Sequence, residues 1–191
     1  NLHNFDAILI PGGFSYGDYL RTGAIARFSP IMNEVIKDAK KGKPIIGICN
    51  GFQILLEAGL LPGSLINNKD IKFISKEVIL NVVTKESIFT STLQEGDTLS
   101  MPIAHKEGNY IGSKSIIQDL EDNDRIVFKY ADNPNGSVND ISSTEGHDDT
   151  ETIDKVNIKA EIPSVDLKLT DSSLDKDFYT KELINFRNNQ L

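Results

Sequence analysis

Residues 44–53 read P-I-I-G-I-C-N-G-F-Q, and this stretch decides the fold. The apolar run before Cys49 predicts a short buried strand, and the apolar residues after it predict a helix that runs to about Gly59. Cys49 therefore stands where the strand ends and the helix begins, between Gly47 and Gly51. Small residues on both sides of a candidate nucleophile are typical of a sharp, strained turn that lifts the reactive side chain into the open.

A second strand is predicted upstream of this turn. Residues 5–10 read F-D-A-I-L-I and are followed by the turn sequence P-G-G, the pattern of a buried strand that runs into a tight turn. Between the two strands, Ser29 and Pro30 mark the start of a helix and Gly42 marks its end. Strand, helix, strand and helix in this order predict an α/β fold built on a mainly parallel sheet.

The rest of the chain is predicted as further strands and an acidic tail. Strands are expected near residues 77–83, 98–103 and 125–130, where they would extend the edge of the sheet. From about residue 142 the composition becomes acidic, and alternating apolar residues predict a hairpin followed by a polar helix near residues 175–189. A disordered tail is the alternative. We therefore expect two regions, residues 1–141 and residues 142–191.

Composition limits the classes of function. The chain has 191 residues and a formal net charge of −8, so it lacks the basic face expected of a nucleic-acid-binding protein. A single cysteine cannot form an internal disulfide, and no apolar run is long enough to cross a bilayer. We therefore expect a cytoplasmic protein with one α/β domain and additions, without a membrane or nucleic-acid partner.

The predicted turn gives Cys49 the surroundings of a nucleophile. The unpaired N–H groups at the start of the following helix favour the thiolate over the thiol. Attack on a carboxamide places negative charge on its oxygen, and the backbone N–H of Asn50 is positioned to receive that charge. A second donor is expected from the turn after the first strand, where we choose Gly13. The alternative is a packed, inert thiol beside an ordinary glycine turn.

Four stretches resemble a known family. The sequence G-I-C-N-G-F-Q at 47–53 resembles the signature of class I glutamine amidotransferases. The sequence P-G-G-F-S-Y-G-D-Y-L-R-T-G-A-I-A-R-F at 11–28 resembles one branch, the glutaminase of phosphoribosylformylglycinamidine synthase. The sequences P-I-A-H-K-E-G-N at 102–109 and N-G-S-V-N-D-I at 135–141 fit the same branch in the same order. This resemblance implies a flavodoxin-like class I amidotransferase domain that lacks the first strand and helix of the family.

The resemblance also implies roles for individual residues. Cys49 would be the nucleophile that forms a thioester with glutamine, and Gly13 and Asn50 would be the oxyanion donors. Gln53 would hold the substrate. The α-amino and carboxylate end of glutamine would be lined by residues 104–107, namely Ala104, His105, Lys106 and Glu107.

The same resemblance implies the partners of the chain. Ammonia released from glutamine would be channelled to a synthetase subunit that uses ATP and magnesium, with a small accessory subunit as a further partner. The glutaminase subunit itself would need no cofactor and no metal.

Some features of the chain depart from the family. Thiol amidotransferases use a histidine that transfers protons and a carboxylate that orients it, supplied by an H-P-E element that this sequence lacks. Of the three histidines, His3 lies near the chain start, His105 belongs to the substrate-binding stretch, and His147 has only sequence neighbours as carboxylate partners. Lys106 stands where the family usually has glycine. These departures suggest a truncated or rearranged copy with impaired turnover.

Three functions therefore stay open on the sequence. The first is a glutaminase subunit, and the second is a non-catalytic module that binds the synthetase. The third is a reactive-cysteine protein of the DJ-1-like kind, which also carries a cysteine at a strand-to-helix turn. Gln53 and the G-F-S-Y-G-D-Y run argue against the third function.

Overall fold

A computed structural model describes residue 2 and residues 4–146 of the chain. His3, His147 and the hairpin and helix predicted toward the C-terminus lie outside the described residues. In chain order, the elements are β1 (Ile8–Ile10), α1 (Pro30–Ala39), β2 (Ile45–Gly47), α2 (Asn50–Glu57), β3 (Ser64–Asn67), β4 (Ile74–Val82), β5 (Thr98–His105), β6 (Glu107–Ile111), α3 (Lys114–Asp122), β7 (Ile126–Tyr130) and β8 (Ile141–Thr144). Short 3-10 helices occupy Ala26–Phe28 and Val138–Asp140.

The first part of the chain folds as a β-α-β-α unit. Strands β1 and β2 pair in parallel, with Ile8 opposite Ile45 and Ile10 opposite Gly47. Helix α1 connects them and begins with Pro30 in its first turn, where a missing backbone N–H costs nothing. After the helix, Gly42 adopts a φ of 81° and its N–H donates to the carbonyl oxygen of Ala39 at 2.9 Å. The α/β class and the order of these elements are confirmed.

The later strands were predicted to extend the edge of the parallel sheet, and this prediction is wrong. They form a separate four-stranded antiparallel sheet in the order β5-β4-β7-β8, and β3 and β6 form a two-stranded antiparallel pair. Within the described residues, parallel pairing is confined to β1 and β2. The strands themselves were predicted close to their observed positions, but local sequence does not encode which strand pairs with which.

Four elements escaped the sequence analysis, namely β3, β6, β8 and α3. Helix α3 carried a readable signal, because the side chain of Ser113 caps it by accepting a hydrogen bond from the N–H of Ile116 at 3.2 Å. Ile117 and Leu120 lie on its buried face at helical spacing. Strand β8 begins at Ile141, where the domain boundary was predicted, and it pairs with β7.

Two hydrophobic clusters hold these elements together. The larger cluster contains the buried faces of α1, α2 and α3 together with β2, and Leu55 and Ile45 are completely buried in it. The smaller cluster lies on one face of the antiparallel sheet, where alternate residues of β4 point inward, at Val78, Leu80 and Val82. Helix α2, which follows Cys49, is thus anchored in the larger cluster.

Leu55 offers a direct test of that anchoring. We expect Leu55→Ala to lower the free energy of unfolding by about 2–5 kcal/mol, because the change removes buried methyl groups and leaves a cavity. Urea denaturation followed by circular dichroism measures the loss. Leu20→Ala is the matched control, since Leu20 is 69% exposed, and a similar loss in both variants would contradict the assigned packing.

Tyr110 is a buried polar anchor between β6 and the loop before β3. Its hydroxyl donates to the carbonyl oxygen of Pro62 at 2.6 Å, and its ring fills the space beside Gly63. Burial raises the pKa of Tyr110 to about 12, against a smaller lowering effect of the charge on Arg125. The neutral hydroxyl is therefore favoured in the folded chain.

This shift predicts a pH dependence of stability. A tyrosine in the unfolded chain ionises near its ordinary pKa of 10.0, whereas Tyr110 in the folded chain keeps its proton up to about 12. The stabilisation is complete below pH 10 and is lost as the pH rises toward 12. We expect the difference in unfolding free energy between wild type and Tyr110→Phe to shrink across this window. A difference that stays constant in urea titrations would contradict the assignment.

Candidate active site

Cys49 lies at a sharp turn between β2 and α2, as the sequence predicts. Its backbone has φ 51° and ψ −108°, a conformation that residues with a side chain rarely adopt. The turn is tied to both strands, since the N–H of Ile48 donates to the carbonyl oxygen of Ile10 at 2.9 Å. A strained residue of this kind costs about 1–3 kcal/mol and persists only where its surroundings fix it.

Two glycines let the backbone close around Cys49. A side-chain carbon at Gly47 would lie 2.8 Å from the backbone of Gly51, and one at Gly51 would collide with the carbonyl oxygen of Ile10. Strand β1, strand β2 and helix α2 therefore meet with no space for side chains at these positions. Gly47 and Gly51 are small because side chains there would collide with the neighbouring backbone, as predicted from the sequence.

The turn after β1 lies against the cysteine. A side-chain carbon at Gly12 would be 3.1 Å from the Cβ of Cys49 and 3.9 Å from its Sγ. Gly13 follows with a φ of 124°, and a side-chain carbon there would meet nothing within 4 Å. The structure thus places the predicted second donor next to the residue that contacts Cys49. Sequence reasoning did not assign Gly12 a role.

Asn50 connects the cysteine turn to the loop after β1. Its side chain is buried, its Nδ2 donates to Oδ2 of Asp18 at 2.8 Å, and its Oδ1 accepts from Oγ of Ser15 at 2.5 Å. The same Nδ2 donates to Oε1 of Gln53 at 3.1 Å. Ser15 and Asp18 were quoted in the family motif but were not predicted as site residues.

Gln53 and Glu107, both predicted from the resemblance to bind the substrate, are joined by a hydrogen bond. The Nε2 of Gln53 donates to the backbone oxygen of Glu107 at 3.0 Å. The Oε2 of Glu107 accepts hydrogen bonds from the N–H of Thr22, at 3.2 Å, and from its hydroxyl. Thr22, near the start of the chain, and Gln53, on α2, therefore both bind Glu107 at the start of β6, Thr22 through the carboxylate and Gln53 through the backbone.

The other predicted substrate-binding residues are placed differently. Ala104 and Lys106 are exposed, whereas His105 is 5% exposed. The Nδ1 of His105 lies 3.0 Å from Oδ1 of Asn68, and its ring packs where a side chain on Gly108 would stand. Asn68 also accepts from the N–H of Gly108 at 3.1 Å. His105 therefore holds the junction of β5 and β6, a role that the motif did not reveal.

A cavity of about 670 Å³ borders the cysteine turn through Gly12 and Asn50. Its walls are mostly apolar and include the exposed aromatic rings of Phe14, Tyr16 and Phe28. Gln53 and Glu107 do not line it. An apolar cavity does not match the charged α-amino and carboxylate groups of glutamine, so we do not assign it to that substrate.

Within residues 4–146 no group of three or more histidine, cysteine, aspartate or glutamate side chains is arranged to hold a metal ion. No helix in the same range is long and apolar enough to cross a membrane.

Comparisons with known proteins agree with the resemblance. Residues 1–147 match the family model of the CobB/CobQ-like glutamine amidotransferase domain. A chain of the PurLQS structure from Thermotoga maritima is 38% identical, with 86% of this chain and 70% of that chain covered and a TM-score of 0.74. A glutamine amidotransferase structure from Thermotoga maritima is 20% identical, with 71% of this chain and 51% of that chain covered and a TM-score of 0.45.

The contact between Gly12 and Cys49 yields a test of the site. We expect Gly12→Ala to slow the alkylation of Cys49 by iodoacetamide severalfold, because the added methyl group lies against the cysteine side chain. Mass spectrometry of the single cysteine gives the rate. Ser100→Ala is the control, since Ser100 is exposed on β5. Equal rates in the two variants would show that Gly12 does not limit access to the sulfur.

Proposed function

Because the chain belongs to the CobB/CobQ-like glutamine amidotransferase family and resembles the glutaminase subunit of phosphoribosylformylglycinamidine synthase, we propose that it hydrolyses glutamine at Cys49. The thiolate attacks the side-chain carboxamide. The carbon–nitrogen bond then breaks, and the leaving nitrogen takes up the proton that the thiol gave up and departs as ammonia. Water then cleaves the thioester to release glutamate and restore the thiol.

The strained backbone of Cys49 is the observation that carries the proposal. Cys49, with a φ of 51°, is the residue immediately before α2, so it lies at the positive end of the helix dipole. In this proposal the N–H groups of Asn50 and Gly13 stabilise the negative oxygen of the tetrahedral intermediate. An inert core cysteine has no need for such a backbone or for the flanking glycines.

Glu107 and Gln53 support recognition of glutamine. The carboxylate of Glu107 is oriented by Thr22 and supplies a negative charge suited to the α-ammonium group of an amino acid. Gln53 fixes the backbone at Glu107. Helix α2 therefore carries both Asn50, which follows the nucleophile, and Gln53, which supports the substrate site. Ala104 and Lys106 are proposed to border this site from the exposed side of the same segment.

In our proposal, proton transfer limits the rate at which this chain hydrolyses glutamine. Thiol amidotransferases depend on an imidazole and a carboxylate, and the sequence lacks the H-P-E element that supplies them. His105, the histidine within residues 4–146, is buried and held by Asn68. We propose that the chain forms the thioester slowly and that its turnover is impaired for this reason.

The remaining parts of the proposal follow from the family. The ammonia would pass to an ATP- and magnesium-using synthetase subunit of purine biosynthesis in the cytoplasm, with a small accessory subunit in the assembly. The glutaminase itself would need no cofactor. Similarity over 86% of this chain to a chain of the PurLQS structure supports the association with the synthetase.

Ammonia release tests this function. We expect the full chain, mixed with the synthetase, ATP and magnesium, to release ammonia from glutamine faster than Cys49→Ala, which has no nucleophile. Ser100→Ala serves as the control, because Ser100 is exposed on β5 and should leave the rate unchanged. A wild-type rate equal to that of Cys49→Ala would refute turnover and favour the non-catalytic binding module.

A further inference from the structure

The side-chain carboxylate of Asp18, on the loop after β1, accepts three hydrogen bonds. The Oδ2 of Asp18 accepts from the N–H of Ser15 at 2.6 Å and from Nδ2 of Asn50 at 2.8 Å. Its Oδ1 accepts from the N–H of Gly23 at 2.9 Å. Hydrogen bonds to an ionised acceptor are roughly twice as strong as those between neutral groups, so this carboxylate is a firm anchor.

Two of the donors, Ser15 and Gly23, lie on the same loop as Asp18, and the third, Asn50, is the first residue of α2. Ser15 stands two residues after Gly13, and Asn50 follows the nucleophile. Gly23 lies against helix α2, where a side-chain carbon would come within 2.8 Å of the backbone of Gln53. Asp18 therefore closes the loop on itself and ties it to Asn50, the residue that follows Cys49 and begins α2.

We propose that Asp18 is the positioning residue of the oxyanion pocket, because it sets the separation between the N–H groups of Gly13 and Asn50. This inference rests on the proposed glutaminase function. Oxyanion donors act only when they are held about 2.7–3.1 Å from the developing charge, and an error of about 1 Å costs about a hundredfold in rate. Asp18 itself does not touch the substrate in this proposal.

A change at Asp18 removes no apolar packing. The residue belongs to neither hydrophobic cluster. Asp18→Asn keeps the size of the side chain but replaces one acceptor oxygen by an NH₂ group. Since all three partners are donors, at least one of them would then face another donor, and the loop would move away from α2.

Two electrophiles that react with Cys49 by different routes separate positioning from a general structural effect. With a chloromethyl ketone analogue of glutamine, the thiolate adds to the ketone, whose oxygen becomes an anion. The sulfur then moves to the methylene carbon and chloride leaves. With iodoacetamide, the thiolate displaces iodide directly and no oxyanion forms. Only the first reaction needs the pair of N–H donors.

The experiment measures both labelling rates on the full chain and on Asp18→Asn. We expect the variant to be labelled by the chloroketone about tenfold to a hundredfold more slowly, while the iodoacetamide rate changes less than about twofold. Asp97→Asn is the matched control. Its Oδ2 also accepts a backbone hydrogen bond, from Gln94 at 2.8 Å, but it is exposed and lies in the turn before β5.

The outcomes distinguish this inference from the proposed function. If the chloroketone labels wild type and Asp18→Asn equally fast, the positioning role is refuted and the glutaminase proposal stands. If both reagents slow by the same factor in the variant, the effect is structural and the positioning role is again refuted. If wild type reacts with iodoacetamide but not with the glutamine analogue, the glutaminase proposal fails, and this inference fails with it.

Discussion

The close approach of helix α2 to strand β1 determines the site. At Gly51 the helix backbone comes so near to the carbonyl oxygen of Ile10 that any side chain would collide with it. This contact fixes where the helix begins and forces the positive φ of Cys49, which lies between the two elements. The backbone conformation of Cys49 is therefore fixed by packing, and its strain is offset by the larger hydrophobic cluster that anchors α2.

Polar side chains hold the loop after β1, which the packing of α2 against β1 does not fix. The loop after β1 has exposed aromatic rings and little apolar burial of its own. It is held instead by hydrogen bonds that Asp18 accepts from the N–H groups of Ser15 and Gly23, and by one that the N–H of Thr22 donates to Glu107. The geometry of the site thus depends on two kinds of interaction, apolar contacts for the helix and charge-assisted hydrogen bonds for the loop.

The cysteine turn could be predicted because its cause is local. Gly47, Cys49 and Gly51 lie within five residues, and their steric requirements can be read from side-chain size alone. The antiparallel sheet was wrongly joined to the parallel one, since its pairings link β4 to strands far along the chain. His105 was assigned to the substrate by its motif, whereas its burial depends on Asn68, which no local pattern connects to it. Asp18 was missed because its contact with Asn50, 32 residues along the chain, has no local signal.

Strand β7 belongs to both hydrophobic clusters. Ile126 belongs to the cluster that holds α2, whereas Val127 and Phe128 belong to the cluster on the antiparallel sheet. Because β7 contributes residues to both clusters, we expect the two to unfold together in one cooperative transition. Heating that disrupts the antiparallel sheet would then also release the strained backbone of Cys49.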